Sequence, residues 1–143
     1  MYEDLKIENQ MCFPLYVCSK EIIRKYNPLL EKINLTYTQY IVMMVMWEHE
    51  ILTVNELGKY LYLDSGTLTP LLKKLEEKKY IIRKKNKQDE RYLNIEITIN
   101  GKDLKKDSLN IHNELKNCFD LTEEELKSLY RILYKVINKF KIE

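Results

Sequence analysis

The stretch "QMCFPLYVCSK", residues 10–20, sets Cys12 and Cys18 six positions apart in apolar surroundings, and a third cysteine, Cys118, stands far down the chain. A thiolate attacks peroxides and disulfides, whereas a neutral thiol in a core packs as a small hydrophobe. Helix geometry separates the first two. Six residues of helix turn Cys18 about 240° from Cys12 and lift it about 9 Å, so the pair does not bridge within one unbroken helix. Cys18 falls in line with Met11, Leu15 and Ile22 and is expected in the core. Cys12 is expected near a helix start, where free N–H groups and the positive end of the dipole favour a thiolate. Pro14 agrees with that placement, since proline is tolerated early in a helix and costly in its middle. Oxidation of such a thiolate by a peroxide gives a sulfenic acid, which condenses with an available thiol.

The 143 residues suit one domain, alone or as a dimer. No stretch near the start has the apolar length of a signal peptide, and the longest apolar run, Tyr40–Trp47, is far short of a membrane span. A cytoplasmic protein with no membrane partner is expected. Three cysteines without zinc-like spacing, and two histidines without a motif partner, point away from a metal, another cofactor or a disulfide framework. The net charge is only +2, yet residues 71–91, "LLKKLEEKKYIIRKKNKQDER", carry nine Lys or Arg against four acids. One polyanion-facing surface is the functional reading of that block, and a solvated helix face the plain one.

The elements that must position these groups read as mostly helical. Apolar spacing from Met11 to Leu30 predicts an opening helix over residues 8–32, with Pro28 bending or ending it. "TYTQYIVMMVMWEHE" opens on a Thr36–Gln39 capping box and continues as a buried helix, and "TVNELGKYLYL" repeats the device with Thr53 and Glu56. "DSGTLTPLLKKLEEKKY" follows at once, with Asp64 and Ser65 as caps and Leu68, Leu71, Leu72 and Leu75 at helical spacing. Two short helices across a tight turn make a helix-turn-helix. "IIRKK" and "YLNIEIT", joined by the polar "NKQDER", then read as a hairpin with a charged tip. Two helices close the chain, one over residues 100–117 and one from Thr122, whose "TEEE" is a further capping box. The fold class is therefore mainly α with a small β-hairpin wing, a winged helix-turn-helix.

The residues "MCFPLY", "LTYTQYIVMMVMWEHE", "LYLDSGTLTPLLKKLE" and the "DER" of the hairpin together resemble the MarR family of bacterial repressors, in particular its organic hydroperoxide regulator (OhrR) branch. The resemblance covers about residues 8–118. It implies a single MarR-type domain over 1–143, with dimerisation helices in 1–35 and 100–143 and the DNA-binding winged helix in 36–99. It also implies a homodimeric repressor released from a double-stranded DNA operator when Cys12 is oxidised by an organic hydroperoxide. The family sets two tyrosine hydroxyls against the sensor thiol, and Tyr26 and Tyr37 stand at the matching positions. Tyr16, one turn from Cys12, is expected to line the same pocket. A phenol there hydrogen-bonds the thiolate and supplies a proton to the departing alkoxide. Fourteen residues of helix part Cys12 from Tyr26 by about 21 Å, so contact requires a second chain. Cys118 resembles the second cysteine of the two-cysteine members, which pairs with the sensor of the other subunit; a small cellular thiol is the alternative resolving group.

A helix-turn-helix lays its second helix in the major groove, N-terminal turns nearest the bases. Those turns carry Ser65, Thr67, Thr69 and Pro70, with Lys73 and Lys74 placed for phosphates. In the hairpin Arg83, Lys84, Lys85 and Lys87 are expected on the DNA backbone. Arg91 resembles the family's minor-groove arginine, and Asp89 is expected to orient it through a bidentate pair; an exposed ion pair of small energetic worth is the plain alternative. A pseudo-palindromic operator follows from a two-headed dimer. The rival readings are a MarR-type repressor released by a small phenolic ligand in the dimer cleft, a thiol peroxidase, and a winged helix that binds protein. The peroxidase lacks its βαβ scaffold and leaves the basic wing without a role.

Overall fold

The computed structural model describes residues 2–140; Met1 and residues 141–143, at the ends of the expected dimerisation segments, lie outside the described residues. Short 3-10 turns at Glu3–Leu5 and Ile7–Asn9 lead into α1 (Cys12–Glu31), α2 (Tyr37–His49), β1 (Ile51–Thr53), α3 (Val54–Leu61) and α4 (Ser65–Glu77). The wing strands β2 (Ile81–Lys85) and β3 (Leu93–Ile97) follow, then α5 (Ile99–Lys116) and α6 (Glu123–Ile137). This is a mainly helical winged helix-turn-helix.

The opening helix starts at Cys12, four residues later than the apolar spacing predicts. Side-chain amides explain the delay. Asn9 Nδ2 donates to Glu3 O (2.7 Å) and Gln10 Nε2 to Lys6 O (3.1 Å), so polar side chains hold the preceding backbone in tight turns. Pro28 lies inside α1, and the helix runs on to Glu31. The capping boxes at Thr36–Gln39, Thr53–Glu56 and Thr122–Glu125 are all formed, with both reciprocal hydrogen bonds in each.

The hairpin expected from the sequence is two strands of a three-stranded antiparallel sheet ordered β1-β3-β2. In it Leu52 lies opposite Ile95 on one side of β3, and Arg83 lies opposite Ile95 on the other. Three residues are too few for strand alternation to register, which hides β1 in the sequence.

The core gathers Leu30 from α1, Met43 and Met46 from α2, Leu57 from α3, Leu68, Leu72 and Leu75 from α4, and Ile81 and Ile95 from the wing, all fully buried. Of α1, only Leu30 is buried. Cys18 is exposed in the protomer, which corrects its assignment to the core. The periodicity of Met11, Leu15, Cys18 and Ile22 marks a helix face, but the first half of α1 extends beyond the body that would cover it. In α6 no residue is buried, although Leu126, Leu129, Ile132 and Val136 are large and apolar.

Two glycines set close approaches. A Cβ on Gly58 would lie 2.6 Å from Leu63 O, in the turn where Tyr62 adopts φ 56° and Leu63 N–H bonds Gly58 O (3.0 Å). That contact keeps α3 and α4 tightly joined. A Cβ on Gly101 would strike Tyr80 O and come within 2.8 Å of Ile97 Cγ1, while Gly101 O accepts from Trp47 Nε1 (2.8 Å). Gly101 therefore locks α5 against the sheet and α2. Gly101→Ala is expected to destabilise the protein by about 1–3 kcal/mol through overpacking, seen as a lower midpoint in urea denaturation with little change in slope.

Candidate redox site and nucleic-acid interface

Cys12 is the first residue of α1, and no side chain caps that end. Its sulfur is exposed beside N–H groups that have no partner within the helix. Pro14 occupies the first turn, where its missing N–H costs nothing. Tyr16 is also exposed, with Lys20 Nζ 5.8 Å from its ring centroid.

Tyr26 and Tyr37 come together at the far end of α1, ring centroids 5.1 Å apart. Tyr40 completes the cluster at 5.8 Å from Tyr26 and 6.5 Å from Tyr37. Tyr40 was not singled out from sequence; its i+3 spacing from Tyr37, one face of a helix, is the signal that points to it. Burial pushes all three phenols above the ordinary tyrosine range, with mutual repulsion adding to the shift at Tyr26 and Tyr40. They therefore remain neutral proton donors at physiological pH. The unbroken helix keeps Cys12 about 21 Å from Tyr26 in the same chain. One protomer thus holds a thiol at one end of α1 and the phenols at the other.

Cys118 lies just past α5, exposed, its Sγ–H directed at Glu114 O (3.3 Å).

The second half of the candidate site is the α4–wing surface. Asp64 caps α4, its Oδ1 accepting from Thr67 N–H (2.7 Å), and that bond holds its carboxyl below the usual range. Ser65 is the first helical residue rather than a cap, so its hydroxyl points from an exposed N-terminal turn. Thr67, Thr69 and Pro70 are exposed as well. Thr69 Oγ1 donates to Ser65 O (2.7 Å), leaving its oxygen lone pairs and methyl group for an outside partner. Lys73 and Lys74 are exposed one turn on.

At the wing tip Asn86 shapes the turn: its Oδ1 accepts from the N–H groups of Gln88 (2.9 Å) and Asp89 (3.1 Å), and its Nδ2 donates to Asn94 (3.0 Å). Asp89 then holds Arg91 by two parallel bonds, Nε to Oδ1 at 3.0 Å and Nη2 to Oδ2 at 2.8 Å. The Arg91 hydrogen bonds depress the Asp89 carboxyl, and Asp89 raises Arg91 in turn. The Arg91 side chain is 83% exposed against 32% for Asp89, so the carboxylate is the mount and the guanidinium is what it presents.

Three cations of the basic block have partners within the protein. Arg83 binds Glu76 (Nη2 to Oε1, 3.1 Å), and Lys84 pairs with Glu96 (3.1 Å) on the neighbouring strand. Lys78, at the C-terminal cap of α4, turns inward and donates to Asn34 O (2.7 Å) and Gln39 Oε1 (2.8 Å). Lys85 and Lys87 stay exposed on the wing. Among the described residues no group of three His, Cys, Asp or Glu side chains is placed to hold a metal ion, and no helix is long and apolar enough to cross a membrane.

A protein-family model described as transcriptional regulator SarA/Rot matches residues 24–108. The organic hydroperoxide resistance transcriptional regulator of Bacillus subtilis is 43% identical over 136 residues, covering 95% of this chain and 92% of that protein. The HTH-type transcriptional regulator SarZ of Staphylococcus epidermidis is 46% identical over 137 residues, covering 96% and 93%. Among solved structures, reduced AbfR bound to DNA superposes with a TM-score of 0.81 at 31% identity, covering 96% of each chain. Likeness over nearly the whole length makes this chain a MarR-family transcriptional regulator of the SarA/Rot type, on the organic hydroperoxide regulator branch.

Proposed function

We propose that two copies of this chain bind a pseudo-palindromic DNA operator and release it when an organic hydroperoxide oxidises Cys12. The observation that carries the reading is the division of one redox centre between the ends of α1. A bare thiol sits at the helix N-terminus and a cluster of neutral phenols sits about 21 Å away. Two first helices running antiparallel about a two-fold axis bring each thiol to the other copy's phenols, twice per dimer. The exposed apolar faces of α1 and α6 supply a surface for that pairing.

In the chemistry proposed, the Cys12 thiolate attacks the distal oxygen of the hydroperoxide. The O–O bond breaks, an S–O bond forms, and the alkoxide leaves as an alcohol with a proton from Tyr26 or Tyr37. Sulfur is oxidised and the peroxide reduced, giving a sulfenic acid. Attack by the Cys118 thiol of the other copy then yields a disulfide and water; otherwise a small cellular thiol takes that part. AbfR, the similar protein, has been solved reduced on DNA and in a disulfide form, which supports a thiol switch on this scaffold. On DNA, the exposed N-terminal turns of α4 take the major groove, with Ser65, Thr67, Thr69 and Pro70 nearest the bases and Lys73 and Lys74 on phosphates. Arg91, mounted on Asp89, enters the minor groove, and Lys85 and Lys87 lie along the backbone.

A second reading rests on a groove of about 670 Å³ between α2 and α5, lined by Tyr40, Met44, Trp47, Leu109 and His112 and rimmed by lysines. There a small phenolic ligand would release the DNA and leave Cys12 a bystander.

Cumene hydroperoxide is expected to abolish DNA binding by the wild-type protein and to leave Cys12→Ser bound in a mobility-shift assay; release of DNA by the variant would exclude the thiol switch and favour the groove. On a non-reducing gel, peroxide should produce a covalent dimer that disappears in Cys118→Ser, and a band that persists in the variant refutes the inter-subunit bridge. Arg91→Ala should weaken operator binding and lower the magnitude of the slope of log K against log salt by about 1, the loss of one cation from the duplex; titrations at several ionic strengths with an unchanged slope would remove Arg91 from the interface.

A further inference from the structure

Glu76 is an acid in the middle of the chain's basic block, and it is fully engaged. Its Oε2 accepts the backbone N–H of Arg83 (2.7 Å), while its Oε1 accepts Nε (3.2 Å) and Nη2 (3.1 Å) of the same residue. Glu76 lies in the last turn of α4, and Arg83 lies mid-way along β2, an edge strand of the sheet. The Arg83 amide therefore faces away from β3 and would otherwise be an open edge donor. One carboxylate closes that edge and grips the side chain beyond it. Both side chains are sheltered, 25% exposed for Arg83 and 35% for Glu76. The Arg83 hydrogen bonds hold the Glu76 carboxyl below the ordinary range, so the clamp stays ionised at neutral pH.

We infer that Glu76 is a positioning residue for DNA recognition: through Arg83 it fixes the wing to the recognition helix, so that α4 and Arg91 meet the duplex as one rigid head. The inference rests on the DNA-binding reading above, and it reassigns Arg83 from a phosphate contact to a strut. Two guanidinium donors converge on Oε1 while Oε2 holds the backbone amide of the same residue, so the carboxylate is anchored at main chain and side chain together, which a lone Lys–Glu pair lacks. Two groove contacts, one in the major groove and one in the minor, demand a fixed distance and angle between helix and wing tip.

The sign of the effect separates this role from plain electrostatics. Deleting a negative charge from a basic surface raises attraction for any polyanion. Deleting a strut lowers affinity only for the sequence that needs both contacts. The test uses full-length wild type, Glu76→Gln and Arg83→Gln, with a duplex selected by the wild-type protein from a random pool and poly(dI-dC) as the unselected duplex. Glu76→Gln is expected to lose about tenfold in affinity for the selected duplex while holding or gaining affinity for poly(dI-dC). Arg83→Gln should lose selected binding similarly, with its salt slope unchanged. In the DNA-free protein, the Arg83 amide and its wing neighbours should exchange hydrogen faster in Glu76→Gln, without loss of protection in α2. Selected binding that is unchanged or tighter in Glu76→Gln, a salt slope lowered by about 1 in Arg83→Gln, or unaltered amide exchange would each overturn the proposal. A variant that unfolds shows itself by lost protection throughout, and the other variant then decides. Wild type that selects no duplex would overturn the DNA-binding reading, with the proposal; exchange then still reports whether the clamp itself is real.

Discussion

The length of one unbroken helix governs this molecule. α1 runs for twenty residues from Cys12 to Glu31, packs on the core at Leu30, and has the phenols that suit a peroxide-reducing thiol at that packed end. A single chain cannot close that gap without breaking the helix. The same helix carries Met11 at 70% exposed and Tyr16 at 62%, and α6 adds a further exposed apolar row. Surfaces of that kind are seldom left to water in a stable monomer. In the proposed function chemistry and burial make one demand, a second copy across α1, and a redox event at Cys12 would then be an event at the subunit interface.

A buried oxygen joins this end of the molecule to the DNA-reading end. Gln39 Oε1 accepts from Thr36 N–H (3.1 Å), closing the capping box that starts α2, and also from Lys78 Nζ (2.8 Å) at the end of α4. Tyr37 and Tyr40 flank Gln39 on α2, so the phenol cluster and the recognition helix lean on the same turn. Burial, and then the nearby Lys74 charge, push the Lys78 amine below its ordinary range. Two carbonyl oxygens accept hydrogen bonds from this half-buried cation and offset its partial loss of solvent.

The sequence made the local devices legible and left the long-range ones hidden. Capping boxes lie within four residues, so Thr36–Gln39, Thr53–Glu56 and Thr122–Glu125 were readable, and with them the starts of α2, α3 and α6. The Asp89–Arg91 geometry spans two residues and was readable for the same reason. Lys78 meets partners 39 and 44 residues away, a distance at which neither local spacing nor a charge count carries information. Cys18 shows another limit. Periodicity identifies an apolar face, but it carries no information on whether the chain's own core or another molecule covers it.

The basic block is better understood through its acids than through its total charge. Glu76 draws in Arg83, Glu96 draws in Lys84 across the sheet, and Asp89 holds Arg91. Ion pairs at or near the surface contribute little to stability, so stability gives small reason for acids in such a block. Direction is a better reason: a free lysine reaches any phosphate, whereas a guanidinium fixed in a carboxylate's plane points one way. Here one arginine is directed outward from the wing tip and the other inward to the recognition helix. Lys85 and Lys87 are exposed point charges on the same hairpin, suited to a backbone that repeats along every duplex. Specific geometry and general attraction are thus assigned to different residues of a single hairpin, and oxidation that shifts one head relative to the other would spoil the first while leaving the second largely intact.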